Sequence, residues 1–190
     1  MIEVAAVTAF LFFTTMFLIA MVKNDISWID VGWGLSFFVL VVALMINFTR
    51  PMGSLQVITI FLVSAWALRL TWYLLKRNLG KGEDERYTEL SKNWKGPKWL
   101  NAYFRVFLIQ GFLQVLVATP VILIFMDDPK NLGWFSAFFA AVAFFMIIFE
   151  ALADSHLEIF KKLKEKPSKF CRLGVWKHSR HPNYFAEISF

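Results

Sequence analysis

The sequence predicts an all-α polytopic membrane protein: a transmembrane bundle of five complete helices followed by the start of a sixth. Of its 190 residues, 58% are hydrophobic, and 22 phenylalanines and 8 tryptophans make it far richer in aromatic residues than a usual soluble domain. Charged residues, 18% of the chain, fall mainly in short blocks between apolar stretches. Because a helix needs about 20 apolar residues to cross a bilayer, the chain is expected to alternate between lipid and water.

Five apolar stretches are long enough to span a membrane. The first lacks the basic leader and small-residue cleavage site of a signal peptide, so we interpret it as a retained helix. A sixth helix begins at Pro182, but nine residues of helix extend only about 13 Å, and we expect its remainder and further helices to lie beyond Phe190. No internal repeat or linker is visible, so residues 1–190 are treated as a single domain. The five stretches cover residues 4–22, 29–47, 55–75, 106–126 and 134–160.

Lysine and arginine are distributed unequally between the loops. The loops on one side of the predicted membrane carry 17 of them, and the loops on the other side carry 2. The positive-inside rule therefore places the N-terminus outside and the large basic loops in the cytoplasm. This topology, together with anionic lipid, also explains the net charge of +6, and no nucleic-acid partner is expected.

The last basic loop is the most informative one. Seven lysines and arginines precede Ser-Arg-His-Pro-Asn-Tyr at 179–184, where Pro182 suits the first turn of a helix. The free N–H groups of that turn, with Arg180 and His181 beside them, form a predicted seat for a phosphate. The alternative is that these cations are ordinary membrane anchors and that His181 caps the helix. The seven cations are Lys161, Lys162, Lys164, Lys166, Lys169, Arg172 and Lys177.

Ionisable residues inside the apolar stretches are further candidates, because an unpaired charge in a membrane costs several kcal/mol. On the fifth helix, Glu150, Asp154, Glu158 and Lys161 share one face. Glu150 and Asp154 are candidates for polar ligand contacts; the alternative is a solvated cytoplasmic helix end with internal ion pairing to Lys161. An ion pair between Asp30 and Arg69 would lower the free-energy cost of placing both charges in the membrane. Alternatively, Asp30 or Tyr73 would contact a substrate.

Metal and disulfide chemistry find little support in the sequence. One cysteine, Cys171, excludes a disulfide framework. His156, His178 and His181 lack a third ligand at the spacing of a zinc site, so no metal is predicted. The charged turn at 80–87 matches neither a Walker loop nor a dinucleotide glycine motif.

These residues together resemble the steroid 5-alpha-reductase superfamily, particularly its bacterial branch of membrane proteins. The resemblance is carried, in family order and along nearly the whole chain, by five elements: Asp-Val-Gly-Trp-Gly at 30–34, Trp-Ala-Leu-Arg at 66–69, Lys-Gly-Glu-Asp-Glu-Arg-Tyr at 81–87, Ala153-Asp154 with Phe160-Lys161, and residues 179–187. It implies a bundle of about seven helices in a bacterial inner membrane. It also implies an NADPH-dependent reductase of a carbon–carbon double bond in a lipid or steroid-like substrate.

The resemblance also assigns roles to individual residues. Those expected to hold NADPH are Asp154, Lys161, Arg172, Arg180, His181, Asn183 and Tyr184. The substrate-side acid falls at about Asp30, where a protonated carboxyl would polarise an enone oxygen while hydride reaches the β-carbon, and Tyr73 is a second catalytic candidate.

The chain departs from the family pattern at several positions. His156-Leu157 stands where a Gln-Lys pair is common, Ala186 stands where a glycine is usual, and Trp66 lies about where steroid-reducing members have a tyrosine. These departures weaken the assignment of a steroid as substrate more than that of the cofactor.

Two other functions remain open. Arg180-His181-Pro182 and Tyr184…Glu187 also occur in isoprenylcysteine carboxyl methyltransferases, which use S-adenosylmethionine, although the loop at 82–87 and Asp154 argue against that class. A non-catalytic membrane scaffold or transporter would require none of these chemical groups.

Overall fold

The computed structural model describes residues 1–163 and 170–190 of the chain, so the predicted loop cations Lys164, Lys166 and Lys169 lie outside the described residues. Nine α-helices are found in these two ranges. The helices are α1 (Ile2–Lys23), α2 (Trp28–Asn47), α3 (Ser54–Asn78), α4 (Glu85–Ser91), α5 (Lys98–Ala102), α6 (Leu108–Val117), α7 (Thr119–Met126), α8 (Trp134–Lys162) and α9 (Pro182–Ser189); a π-helical turn, Tyr103–Phe107, joins α5 to α6, and a 3-10 turn, Gly174–Lys177, precedes α9.

Five of these helical segments are long and apolar enough to cross a membrane. The prediction of an all-α fold with five such segments and the start of a sixth helix at Pro182 is confirmed, and these segments are those of an integral membrane protein. They are Ile2–Lys23, Trp28–Asn47, Ser54–Asn78, Lys98–Val117 and Trp134–Lys162.

The fourth segment differs from its predicted bounds of 106–126. It begins at Lys98, passes through the π-helical turn and ends at Val117. The predicted stretch is divided because Pro120, in the first turn of α7, has no N–H to donate to the preceding turn and its ring crowds that turn's carbonyl. Thr119 partly compensates, since its hydroxyl donates to the Val115 carbonyl at 3.1 Å.

The chain forms two compact units, Met1–Asn131 and Leu132–Phe190, and we describe each by itself. The single domain predicted over residues 1–190 stays a prediction. In the first unit a tight turn after α1 lets α2 return antiparallel to it. Asn24 closes α1 in the left-handed conformation, with φ of 51°, and Asp25 accepts a hydrogen bond from the Ser27 N–H at 2.9 Å, which orders the entry into α2.

Two glycines bring α2 close to its neighbours. A Cβ on Gly34 would lie 2.8 Å from the Thr71 hydroxyl and 3.0 Å from the Ala67 carbonyl of α3, whereas one on Gly32 would lie 2.9 Å from the Met16 side chain of α1. Small residues at a helix interface let the backbones approach, which is the usual way in which membrane helices pack. Asp30, one turn before Gly34, therefore lies on a helix that packs closely against both α1 and α3.

A buried amide closes the opposite end of α3. The Gln56 side chain is fully buried, and its Nε2 donates to the Ile124 carbonyl at 3.2 Å while its Oε1 accepts from the Lys130 N–H at 3.3 Å. The Leu55 N–H also donates to the Lys130 carbonyl at 3.1 Å. These hydrogen bonds tie the start of α3 to α7 and to the segment that follows α7.

Candidate functional site

The first candidate site surrounds Asp30, in the first turn of α2. The Tyr87 hydroxyl donates to Asp30 Oδ1 at 2.6 Å, and Arg86 Nη2 donates to Oδ2 at 2.6 Å. A second guanidinium, of Arg77, lies 3.5 Å from Oδ2. The Asp30 side chain is only 18% exposed, so its carboxylate is held inside a network of protein groups.

The loop before α4 presents Arg86 and Tyr87 to this carboxylate. Asp84 is the N-cap of α4: its side chain accepts from the Arg86 N–H at 3.0 Å and from Arg86 Nε at 3.1 Å. The side-chain hydrogen bond from Arg86, followed by the backbone one, holds the pKa of Asp84 below its usual value, and the same side-chain bond raises the pKa of Arg86. Burial, and secondly the charge of Asp30, raise the pKa of Tyr87, which therefore keeps its proton.

Glu83 connects the same loop to the residues just before α2. Its Oε1 accepts from the Ile26 N–H at 3.0 Å, and its Oε2 accepts from Lys98 Nζ at 2.9 Å. The side chain is mostly buried, with 15% exposed. The loop and the helix start are therefore joined through both a backbone and an ionic contact.

The sequence placed Asp30 in a site but missed its partners. The ion pairs of Asp30 are with Arg86 and Arg77, whereas the sequence suggested Arg69. Tyr73 is half-buried on α3, but the tyrosine that binds Asp30 is Tyr87. The available signal was a carboxylate at the start of an apolar helix together with the charged run at 82–87.

The second candidate site lies in the second unit, where α9 meets α8. Asn183 Nδ2 donates to Asp154 Oδ1 at 3.4 Å, which joins two predicted cofactor residues 29 positions apart. Asp154 is buried, with 4% exposed. The Asn183 Oδ1 is buried and has no hydrogen-bond partner among the described residues.

The opening of α9 presents the other predicted groups. Its first hydrogen bond runs from the Phe185 N–H to the His181 carbonyl at 3.1 Å, which leaves the N–H groups of Asn183 and Tyr184 at the open end of the helix. The His181 ring stacks on the Tyr184 ring, with centroids 5.2 Å apart. Both rings are exposed.

The three cations predicted to hold NADPH are exposed and make no ion pair among the described residues. Arg172 and Arg180 flank the 3-10 turn and reach solvent, as does Lys161 near the end of α8. Glu158 pairs with Lys162 at 3.0 Å, not with the Lys161 that the shared helix face suggested. The structure thus brings Asp154 near Asn183 and His181 near Tyr184, and it leaves three cations open to an anion.

The fold and these sites define a polytopic helical membrane protein with a polar network at the start of α2 and an open basic turn at α9. The profile of a family of proteins of unknown function, DUF1295, matches residues 16–190, and the chain belongs to this family.

Comparison with individual proteins adds one distant relative. The chain is 26% identical over 151 residues to an uncharacterized protein of Schizosaccharomyces pombe, a match that covers 67% of this chain and 43% of the relative. The chain thus spans less than half the length of that relative. No solved structure matches it.

Proposed function

We propose that the protein is a membrane-embedded, NADPH-dependent reductase of a carbon–carbon double bond conjugated to a carbonyl, in a lipid or steroid-like substrate. The proposal follows the resemblance to the steroid 5-alpha-reductase superfamily. The observation that carries it is the contact of Asn183 with buried Asp154 at the opening of α9, beside exposed cations. One amide oxygen of this contact, Asn183 Oδ1, is buried and has no hydrogen-bond partner among the described residues.

The groups at α9 fit the chemistry of a dinucleotide phosphate. Arg172 and Arg180 would bind phosphate oxygens through charge-assisted hydrogen bonds, and the open N–H groups at the start of α9 would add to them. Asn183 Oδ1 would accept a hydrogen bond from an amide or amino group of the ligand. Asp154 holds the Asn183 side chain in place by accepting a hydrogen bond from its Nδ2. Lys161, His181 and Tyr184 would complete the contacts. Bound NADPH would supply the hydride.

The acid on the substrate side belongs to the Asp30–Tyr87 pair. The Tyr87 hydroxyl donates to the Asp30 carboxylate at 2.6 Å, so the pair holds one proton. In the proposed reaction the Tyr87 hydroxyl would donate a hydrogen bond to the enone oxygen and stabilise the negative charge that develops there, without giving up its proton in the resting protein. Arg86 fixes Asp30 from the other side, which keeps the pair in one geometry. Tyr73 remains the second predicted catalytic residue.

We also propose an orientation for the chain in a bacterial inner membrane, with the N-terminus outside and the basic loops in the cytoplasm. The excess of lysine and arginine on one side supports this orientation. It would make the α9 opening accessible to cytoplasmic NADPH, and the partners would be membrane lipids and the lipid substrate.

Ligand-induced thermal stabilisation of the purified protein in detergent tests the cofactor assignment. Excess NADPH is expected to raise Tm by mass action, and Asn183→Ala and Asp154→Ala are expected to abolish the rise. The matched control is Ser155→Ala, because Ser155 is exposed on the same helix and should leave the rise unchanged.

S-adenosylmethionine is the competing ligand in the same experiment. Stabilisation by S-adenosylmethionine alone would replace the reductase by the methyltransferase alternative. If NADPH raises Tm equally in the unmodified protein and both variants, the residues assigned to the cofactor are wrong.

A further inference from the structure

One turn of α8, residues 153–156, contacts the segment 170–190 at three points. The Trp176 indole N–H donates to the Ala153 carbonyl at 2.8 Å, and Asn183 donates to Asp154. The third point is His156, against Gly174. Two exposed cations of the proposed cofactor site, Arg172 and Arg180, therefore lie on a segment whose position depends on this turn of α8.

His156 and Gly174 are in unusually close contact. A Cβ on Gly174 would overlap the His156 imidazole, with Nε2 at 2.8 Å and other ring atoms nearer. Gly174 also has φ of +51°, a conformation that residues with a side chain rarely adopt. His156 Nδ1 is buried without a hydrogen-bond partner among the described residues, so at this atom the ring holds the turn by packing and not by hydrogen bonding.

We infer that His156 is a positioning residue for the phosphate-bearing ligand of the α9 site: its ring is the surface on which Gly174 rests, and it thereby sets where the neighbouring cations lie. Arg172 is two residues before Gly174 and Lys177 is three residues after it, so a displacement of the turn moves both charges. This inference rests on the proposed function. In the sequence, Gly174 stands in no recognised motif, and His156 differs from the residue that is common in the family at its position.

A double-mutant cycle isolates the contact. Gly174→Ala is expected to weaken NADPH binding about tenfold, because the new methyl group displaces the turn. His156→Ala removes the surface without a collision and is expected to weaken binding by about fivefold. In the His156→Ala background, Gly174→Ala should cost only about twofold, because only the strain of the positive φ remains.

A matched control separates strain from collision. Gly96 also has a positive φ, of +84°, but a Cβ there meets nothing within 4 Å. Gly96→Ala should lower the Tm of the ligand-free protein and leave the NADPH affinity unchanged. A second readout is the salt dependence of NADPH binding, which should flatten in both His156→Ala and Gly174→Ala if the cations have moved away from the phosphates.

The outcomes distinguish this inference from the proposed function. If the unmodified protein does not bind NADPH, both are overturned. If it binds NADPH and the two variants bind equally well with the same salt dependence, only the positioning role of His156 is overturned. Equal losses from Gly174→Ala with and without the His156 ring would also overturn it, because the contact would then carry no coupling.

Discussion

The two charged clusters of this protein are built in opposite ways. At the start of α2, both oxygens of Asp30 accept hydrogen bonds and two guanidinium groups lie within 3.5 Å of the carboxylate. At the opening of α9, Arg172 and Arg180 are exposed and make no ion pair among the described residues. One cluster satisfies its charges internally, and the other leaves them to solvent.

This difference separates charges that hold local structure from charges that are available to a ligand. A largely buried carboxylate that has gathered its partners is costly to disturb, because each partner would be left unsatisfied. Exposed cations contribute little to folding, yet they attract an anion at no structural cost. Substitutions in the two clusters should therefore move different observables.

The largest expected effect is from Asp30→Ala. The substitution removes the hydrogen-bond acceptor of the Tyr87 hydroxyl and the ion pairs of Arg86 and Arg77 with Asp30, although Arg86 keeps its contact with Asp84. We expect it to lower the free energy of unfolding by about 2–4 kcal/mol. Denaturant unfolding in detergent measures this change. The control is Asp128→Ala: Asp128 is 82% exposed and pairs with Arg50, which is 55% exposed, so its loss should cost less than about 1 kcal/mol. Equal losses in the two variants would remove the contrast.

Gly34→Ala tests whether the helix that carries Asp30 is fixed by close packing. A Cβ there would crowd Thr71 and the Ala67 carbonyl, and we expect a loss of about 1–3 kcal/mol in unfolding free energy. Gly82→Ala is the control, since a Cβ at Gly82 meets nothing within 4 Å. A Gly34→Ala protein as stable as this control would show that α2 and α3 can separate freely.

Alkaline pH should weaken the Asp30 cluster through Tyr87. Its pKa in the folded protein lies above the ordinary value of 10.0, so the unfolded chain loses the phenolic proton first. The stabilisation is complete below about pH 10 and declines as pH rises further, by up to about 1.4 kcal/mol per pH unit. The stability of Tyr87→Phe should depend less on pH above 10, whereas that of Tyr184→Phe, an exposed tyrosine, should follow the unmodified protein. Parallel pH profiles for all three proteins would contradict this role of Tyr87.

The smallest expected change in stability is from Arg180→Ala. Because this side chain is exposed and unpaired among the described residues, the free energy of unfolding should stay within about 0.5 kcal/mol of its original value. NADPH binding should weaken, and its salt dependence should become shallower. A large loss of stability would mean that the cations of this unit are structural after all.

The sequence predicted the helices well because the length of an apolar stretch is local information. It failed on the fourth stretch, where hydropathy continues through 106–126 although Pro120 divides the helix and the segment starts as early as Lys98. Hydropathy reports how favourable a segment is in lipid, whereas a proline acts on backbone hydrogen bonding. The two signals disagree in this stretch, and the helix boundary follows the proline.

The candidate sites were predictable only in part. Asp154 and Asn183 were named through the family resemblance, and the structure brings them together. Tyr87 was missed because its contact with Asp30 joins residues 57 positions apart, and no periodicity reports such a distance. The Gly174–His156 contact was missed for the same reason. That Gly174 leaves no room for a Cβ beside the His156 ring is visible only in the folded structure.

The buried amide of Gln56 has a consequence for how the chain is assembled during synthesis. Its backbone partners include the carbonyl of Ile124 and the N–H of Lys130, which is 74 positions later in the chain. When α3 first enters the bilayer, these partners have not yet been made, and the amide must keep its hydrogen bonds to water or lipid headgroups at the surface. Because these hydrogen bonds form only when α7 and the segment after it are present, we expect the start of α3 to reach its final packing after the fourth span has been made.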